Sequence, residues 1–95
     1  PTWRLTVAYD GTDYHGWQVQ PNAVTVEGEL LDRLRTLTGN SALRTEATSR
    51  TDAGVHALDQ QVSFTSTLPG DMGADRLRFC LNRWFPPAIR ILDAA

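Results

Sequence analysis

Hydrophobic spacing changes twice along this chain, and those changes limit the folds open to it. "WRLTVAYD" sets Trp3, Leu5, Val7 and Tyr9 on one side of an extended segment, with Arg4, Thr6, Ala8 and Asp10 on the other. That two-residue period predicts a half-buried strand. From Thr25 the period turns helical. Leu30, Leu31, Leu34 and Leu37 recur on one face while Glu29, Asp32, Arg33 and Arg35 take the other. Thr25 is an N-cap residue type, Glu27 and Glu29 lie in the first turn where the dipole favours anions, and Gly39-Asn40 supplies the stop. A short strand over about 43–47 follows. Alternation then returns, with Leu58, Gln60, Val62 and Phe64 set against Asp59, Gln61, Ser63 and Thr65. "LPGDM" breaks this third strand, and Asp71 offers a cap for a second helix. Leu77, Cys80, Leu81 and Trp84 form that helix's buried stripe, Pro86-Pro87 ends it, and "AIRIL" is a last strand.

The resulting order, β-α-β-β-α-β, is the split βαβ or ferredoxin-like α+β arrangement, an antiparallel sheet with both helices on one face. The other sheet face is left open or covered by a partner. Ninety-five residues, 41% of them hydrophobic, suffice for a single domain over 1–95, burying roughly 60–70% of its unfolded surface. With 21% charged residues and scattered prolines and glycines, the chain does not read as disordered. No apolar run approaches the roughly 18 residues of a membrane span, and the first segment alternates instead of forming a signal-peptide core. One cysteine, Cys80, leaves no internal disulfide, fits a reducing cytoplasm, and reads as a buried structural thiol among apolar neighbours.

A net charge of −2 advertises no nucleic-acid partner, yet all nine basic residues are arginine. Arginine's planar fork suits bidentate phosphate contacts, but a coding bias produces the same composition. Charge therefore neither supports nor excludes RNA.

Two stretches exceed what the fold requires. "GTDYHGWQVQPNA" is a long connection carrying two aromatics, and such loops in compact domains usually serve a partner or substrate. Within it, Trp17 and Gln18 could stack on and hydrogen-bond to a nucleotide, or Trp17 could cover the edge of the core. The second stretch is "SRTDAGVHA", residues 49–57, longer than a hairpin between the second and third strands needs. Gly54 permits a turn closed to other residues, or close approach of a ligand. Asp52, with an ordinary pKa of about 3.9, is ionised at neutral pH, and Arg50 nearby favours that form. Such a carboxylate can attack a sugar anomeric carbon or take a proton. An Arg-x-Asp on a turn is, taken alone, more often a local ion pair. His56 serves equally well as a hydrogen-bonded structural histidine. His15, His56, Asp10, Asp13 and Asp52 show no recognised metal-ligand spacing.

"RTDAGVHA" strongly resembles the signature of the tRNA pseudouridine synthase A family. "YDGTDYHGWQVQ" resembles that family's first-strand motif, and "LNRWFPPAIRIL" its later asparagine-proline segment. The three occur in the family's order, so the resemblance spans nearly the whole chain. It implies isomerisation of uridine to pseudouridine in the anticodon stem-loop of transfer RNA, without a cofactor or metal, by a cytoplasmic homodimer. It makes Asp52 the essential aspartate and Arg50 the arginine that helps hold RNA in place of the extruded base. Thr51, Gly54 and His56 then shape the loop. Ser49 and Asp59 depart from the commonest form of the motif, which has glycine there.

Length is the larger departure. Family members carry two similar domains with the catalytic cleft between them, and the second supplies a base-packing tyrosine and further basic residues. The chain thus corresponds to the N-terminal half, with the aspartate but an incomplete site, and is expected to be inactive alone. The rival reading is a non-catalytic ferredoxin-like module that binds RNA or protein through its open sheet face, with "SRTDAGVHA" only a connecting loop.

Overall fold

The computed structural model of the chain describes residues 2–14, 16–17, 23–47 and 57–95. Strand β1 (Thr2–Tyr9) is followed by a turn of 3-10 helix at Gly11–Asp13, then helix α1 (Val26–Thr38) and strands β2 (Thr45–Ala47) and β3 (Ala57–Thr65). Helix α2 (Ala74–Trp84) and strand β4 (Ile89–Ala94) complete the chain. The strands form one sheet in the order β2-β3-β1-β4, every neighbouring pair antiparallel. This is the α+β, ferredoxin-like arrangement expected from the periodicity. No helix among the described residues is long and apolar enough to cross a membrane.

The two-residue period of β1 divides the sheet. Leu5, Val7 and Tyr9 are buried, whereas Arg4 is exposed and Thr6 and Ala8 are half-buried. Their core also holds Val62 and Phe64 of β3, Ile89 and Ile91 of β4, Leu30 and Leu34 of α1, and Leu77 and Leu81 of α2. Both helices therefore cover the same face. α1 begins and ends as its sequence dictates: the Thr25 hydroxyl accepts from the Gly28 amide at 3.1 Å, and Gly39 closes the helix in the left-handed conformation at φ 69°. Arg35 Nε donates to the Leu43 carbonyl at 3.0 Å and the Thr45 hydroxyl to Glu27 Oε2 at 3.1 Å, tying α1 to the start of β2.

α2 corrects two expectations. Its N-cap is Gly73, with no side-chain cap, and Asp71 stays exposed in the preceding turn, where Gly70 has φ 59° and the Met72 amide donates to the Pro69 carbonyl. Its buried stripe is also narrower than expected. Leu77 and Leu81 are buried, Cys80 is only half-buried, and Trp84 is 44% exposed. Cys80 is offset from Leu81 by about 100° around the helix. Phe85, the residue after the last turn, enters the core in place of Trp84.

Candidate active site

Tyr9, the last residue of β1, pairs with Ala57 at the start of β3 and with Ile89 at the start of β4. Next to it, the Asp10 amide donates to the Ala88 carbonyl at 2.8 Å. β2 runs toward the same end of the sheet and stops at Ala47, opposite Val62. Residues 48–56 connect Ala47 to Ala57 at this end. They carry Arg50, Thr51, Asp52, Gly54 and His56, and lie outside the described residues.

What the structure does describe is the frame around them. The pairing of β1 and β3 shifts register between Val7 and Tyr9: Val7 faces Gln60 and Tyr9 faces Ala57, which leaves one extra residue on β3. Bulges of this kind recur beside active sites, where they re-aim the chain and end pairing. Here the bulge follows the motif directly. Gln60, just past it, is buried at 3% exposure, and no buried side-chain nitrogen or oxygen among the described residues lacks a hydrogen-bond partner. Over β2 and β3 lies a cavity of about 300 Å³ bordered by Arg4, Glu46, Ala47, Gln61 and Ser63.

A second wall comes from the segment after β1. Asp10 Oδ1 accepts from the Thr12 amide at 3.0 Å and from its hydroxyl at 2.6 Å, which folds the chain back at once. Trp17 then enters the core. Its ring stacks on Tyr9 at 5.8 Å between centroids and 28° between planes, and it is only 1% exposed. Of the two readings of Trp17, this burial favours the one in which it covers the edge of the core. Gln18, and His15 before it, lie outside the described residues. The carbonyls of Gly16 and Trp17 accept from the amides of Val26 and Glu27 at 3.2 and 2.9 Å, and Gly16 takes φ 87° to present them. These bonds and the Thr25 cap satisfy amides that α1 cannot satisfy internally. Gly16 and Trp17 are thereby fastened to the N-terminus of α1, and Trp17 to β1.

Two residues that sequence reasoning passed over hold the third wall. Asn82 of α2 accepts from the Ile91 amide at 2.8 Å and donates to the Ile91 carbonyl at 3.0 Å. Arg90 Nη1 donates to the carbonyls of Asn82 and Ile89, each at 3.1 Å, and of Phe85 at 3.4 Å. A cation there opposes the negative end of the helix dipole. The available signal was an asparagine inside a helix just before a double proline, a poor helix former with an unexplained place.

Known proteins align with nearly the whole of this chain. The tRNA pseudouridine synthase A of Halalkalibacterium halodurans is 45% identical over 91 residues, 96% of this chain. That of Solibacter usitatus is 44% identical over 91 residues, also 96% of the chain, and that of Moorella thermoacetica 43% over 96 residues, 99% of the chain. This chain belongs to the tRNA pseudouridine synthase A family. A match over 96% of the chain leaves room for only a few unaligned residues at its ends, so it contains the "SRTDAGVHA" segment. The chain spans about a third of the length of these relatives: 34%, 37% and 38%. No family model matches it.

Proposed function

We propose that this chain is the N-terminal domain of a two-domain tRNA pseudouridine synthase, with Asp52 as its catalytic carboxylate. The match to relatives named for that activity, running through residues 49–57, carries the reading. The ends of β2 and β3, from which residues 48–56 depart, support it: three strands, a bulge and the fastened segment after β1 meet there. The reaction is an isomerisation with nothing added or lost. The N1–C1′ bond breaks, a C5–C1′ bond forms, and the proton lost from C5 balances the one gained by N1. Asp52 either attacks C1′ or removes a ribose proton, and both routes require an ionised carboxylate at the sugar. Arg50 holds that charge and fills the space of the extruded nucleotide. Thr51, Gly54 and His56 shape the loop, and Gln18 reaches the RNA from the neighbouring segment. The complete enzyme is a cytoplasmic homodimer acting on the anticodon stem-loop, with the second half of the site on its other domain.

Asp52→Asn in the complete enzyme tests this, since it keeps size and removes the nucleophile or base. In a single-turnover assay on unmodified transfer RNA the substitution abolishes isomerisation while RNA affinity is retained. Turnover within a few-fold of the unsubstituted enzyme removes Asp52 from the chemistry.

A further inference from the structure

The outer face of α2 is chemically unlike that of α1. On α1, Arg33 pairs with Glu29 at 3.1 Å and with Asp32 at 2.9 Å, so the cation is neutralised in place. On α2, Arg76, Arg78 and Arg83 stand with a single acidic residue, Asp75, and none of the three has an ion-pair partner among the described residues. Arg76, Phe79 and Arg83 follow an i, i+3, i+7 spacing and so form one stripe along the helix. Phe79 is 51% exposed, and the two guanidinium carbons lie 5.6 and 5.8 Å from its ring centroid.

This arrangement holds two planar cations against an aromatic ring at the surface while leaving their donors free to act. Contact with the Phe79 ring restricts the guanidiniums at no cost in charge, and the guanidinium fork is suited to two-point contact with a phosphate. The C-terminal end of the stripe also leads along the chain to the sheet end that frames the candidate site. Arg83 lies in the last turn of α2, two residues before buried Phe85, and Ile89, which follows the double proline, pairs with Tyr9 at the sheet end where residues 48–56 attach.

We infer that the Arg76–Phe79–Arg83 stripe is a phosphate-binding track for the RNA substrate, extending contact from the candidate active site along the outer face of α2. This rests on the proposed function for the identity of the RNA. A second copy of the chain suits the face poorly, because a twofold contact sets arginines against arginines.

The test titrates the 95-residue chain into end-labelled, unmodified transfer RNA transcript, reading fluorescence anisotropy at several salt concentrations. Arg76→Ser/Arg83→Ser is expected to weaken binding about tenfold at low salt and to lower the slope of log K against log salt by roughly 1.5–2, the loss of two phosphate contacts. Phe79→Ala, which leaves both charges but removes their support, is expected to weaken binding about threefold with little change in slope. Arg33→Ser on α1, which removes a cation already paired with Glu29 and Asp32, serves as the control and leaves the slope unchanged. Circular dichroism confirms that each variant is folded. Affinity within twofold and an unchanged slope for the α2 double variant overturn the inference. So does absence of any binding by the chain, or sedimentation showing that the stripe instead joins two copies. The two readings fail separately: α2 variants that bind normally leave the Asp52 result standing, and an active Asp52→Asn enzyme removes the functional reading whatever α2 does.

Discussion

Asn82 bonds both main-chain polar groups of Ile91, accepting from its amide at 2.8 Å and donating to its carbonyl at 3.0 Å. β4 is an edge strand, and an edge presents unpaired amides and carbonyls that attract other chains. One side chain of α2 therefore closes part of this edge and fixes the helix against it. Asn82→Ala removes two bonds and leaves Ile91 unsatisfied on that side, so stability should fall by about 2 kcal/mol. Asn82→Asp keeps the acceptor alone and should fall between. Urea denaturation reads both, and a loss under about 0.5 kcal/mol for the alanine variant means that water replaces the amide without cost.

Trp17 is a packing residue by its burial against Tyr9, and its substitutions should behave accordingly. Trp17→Ala leaves a large cavity and is expected to cost about 3–5 kcal/mol, enough to threaten the fold of a small domain. Trp17→Phe retains an aromatic on Tyr9 and should cost distinctly less. Thermal melts rank the two. If Trp17→Ala melts like the parent chain yet loses RNA affinity, the stacking role returns.

Arg50→Lys tests whether a charge is enough beside Asp52. The ammonium keeps the sign but not the planar fork, so a large fall in single-turnover rate is expected despite the conservative change. Near-normal turnover reduces Arg50 to a generic cation.

The 95-residue chain by itself should fold and yet make no pseudouridine. One continuous core joins β1, β3 and β4 to both helices, with Ala47 of β2 packed against it, which should suffice for folding. On the proposed function, a tyrosine and a basic wall on a second domain complete the site. With a net charge of −2, its binding to transfer RNA should be weak and lost on modest salt addition. Incubation with unmodified transfer RNA followed by nucleoside analysis decides the point. Robust turnover would show that one domain suffices.

The sequence by itself determined whatever depends on neighbours within a few residues. The alternation of Leu5, Val7 and Tyr9 specified a strand and its buried side, and Thr25 and Gly39 bounded α1, because capping and periodicity are local effects. "RTDAGVHA" was legible for the same reason, as a run of residues that a plain connection does not need. Trp17 and Trp84 mark the limit. Each lies beside apolar residues, yet one is 1% and the other 44% exposed. Which ring enters the core depends on how α2 is rotated against the sheet and on where the segment after β1 docks: Phe85, at the end of α2, takes the core place beside Trp84, and Tyr9 of β1 receives Trp17. The bulge before Gln60, the grip of Asn82 on Ile91 and the unpaired arginines of α2 belong to the same class. Only the tertiary structure decided these, because each joins groups far apart in the chain or depends on which face of a helix is left over once its core is packed.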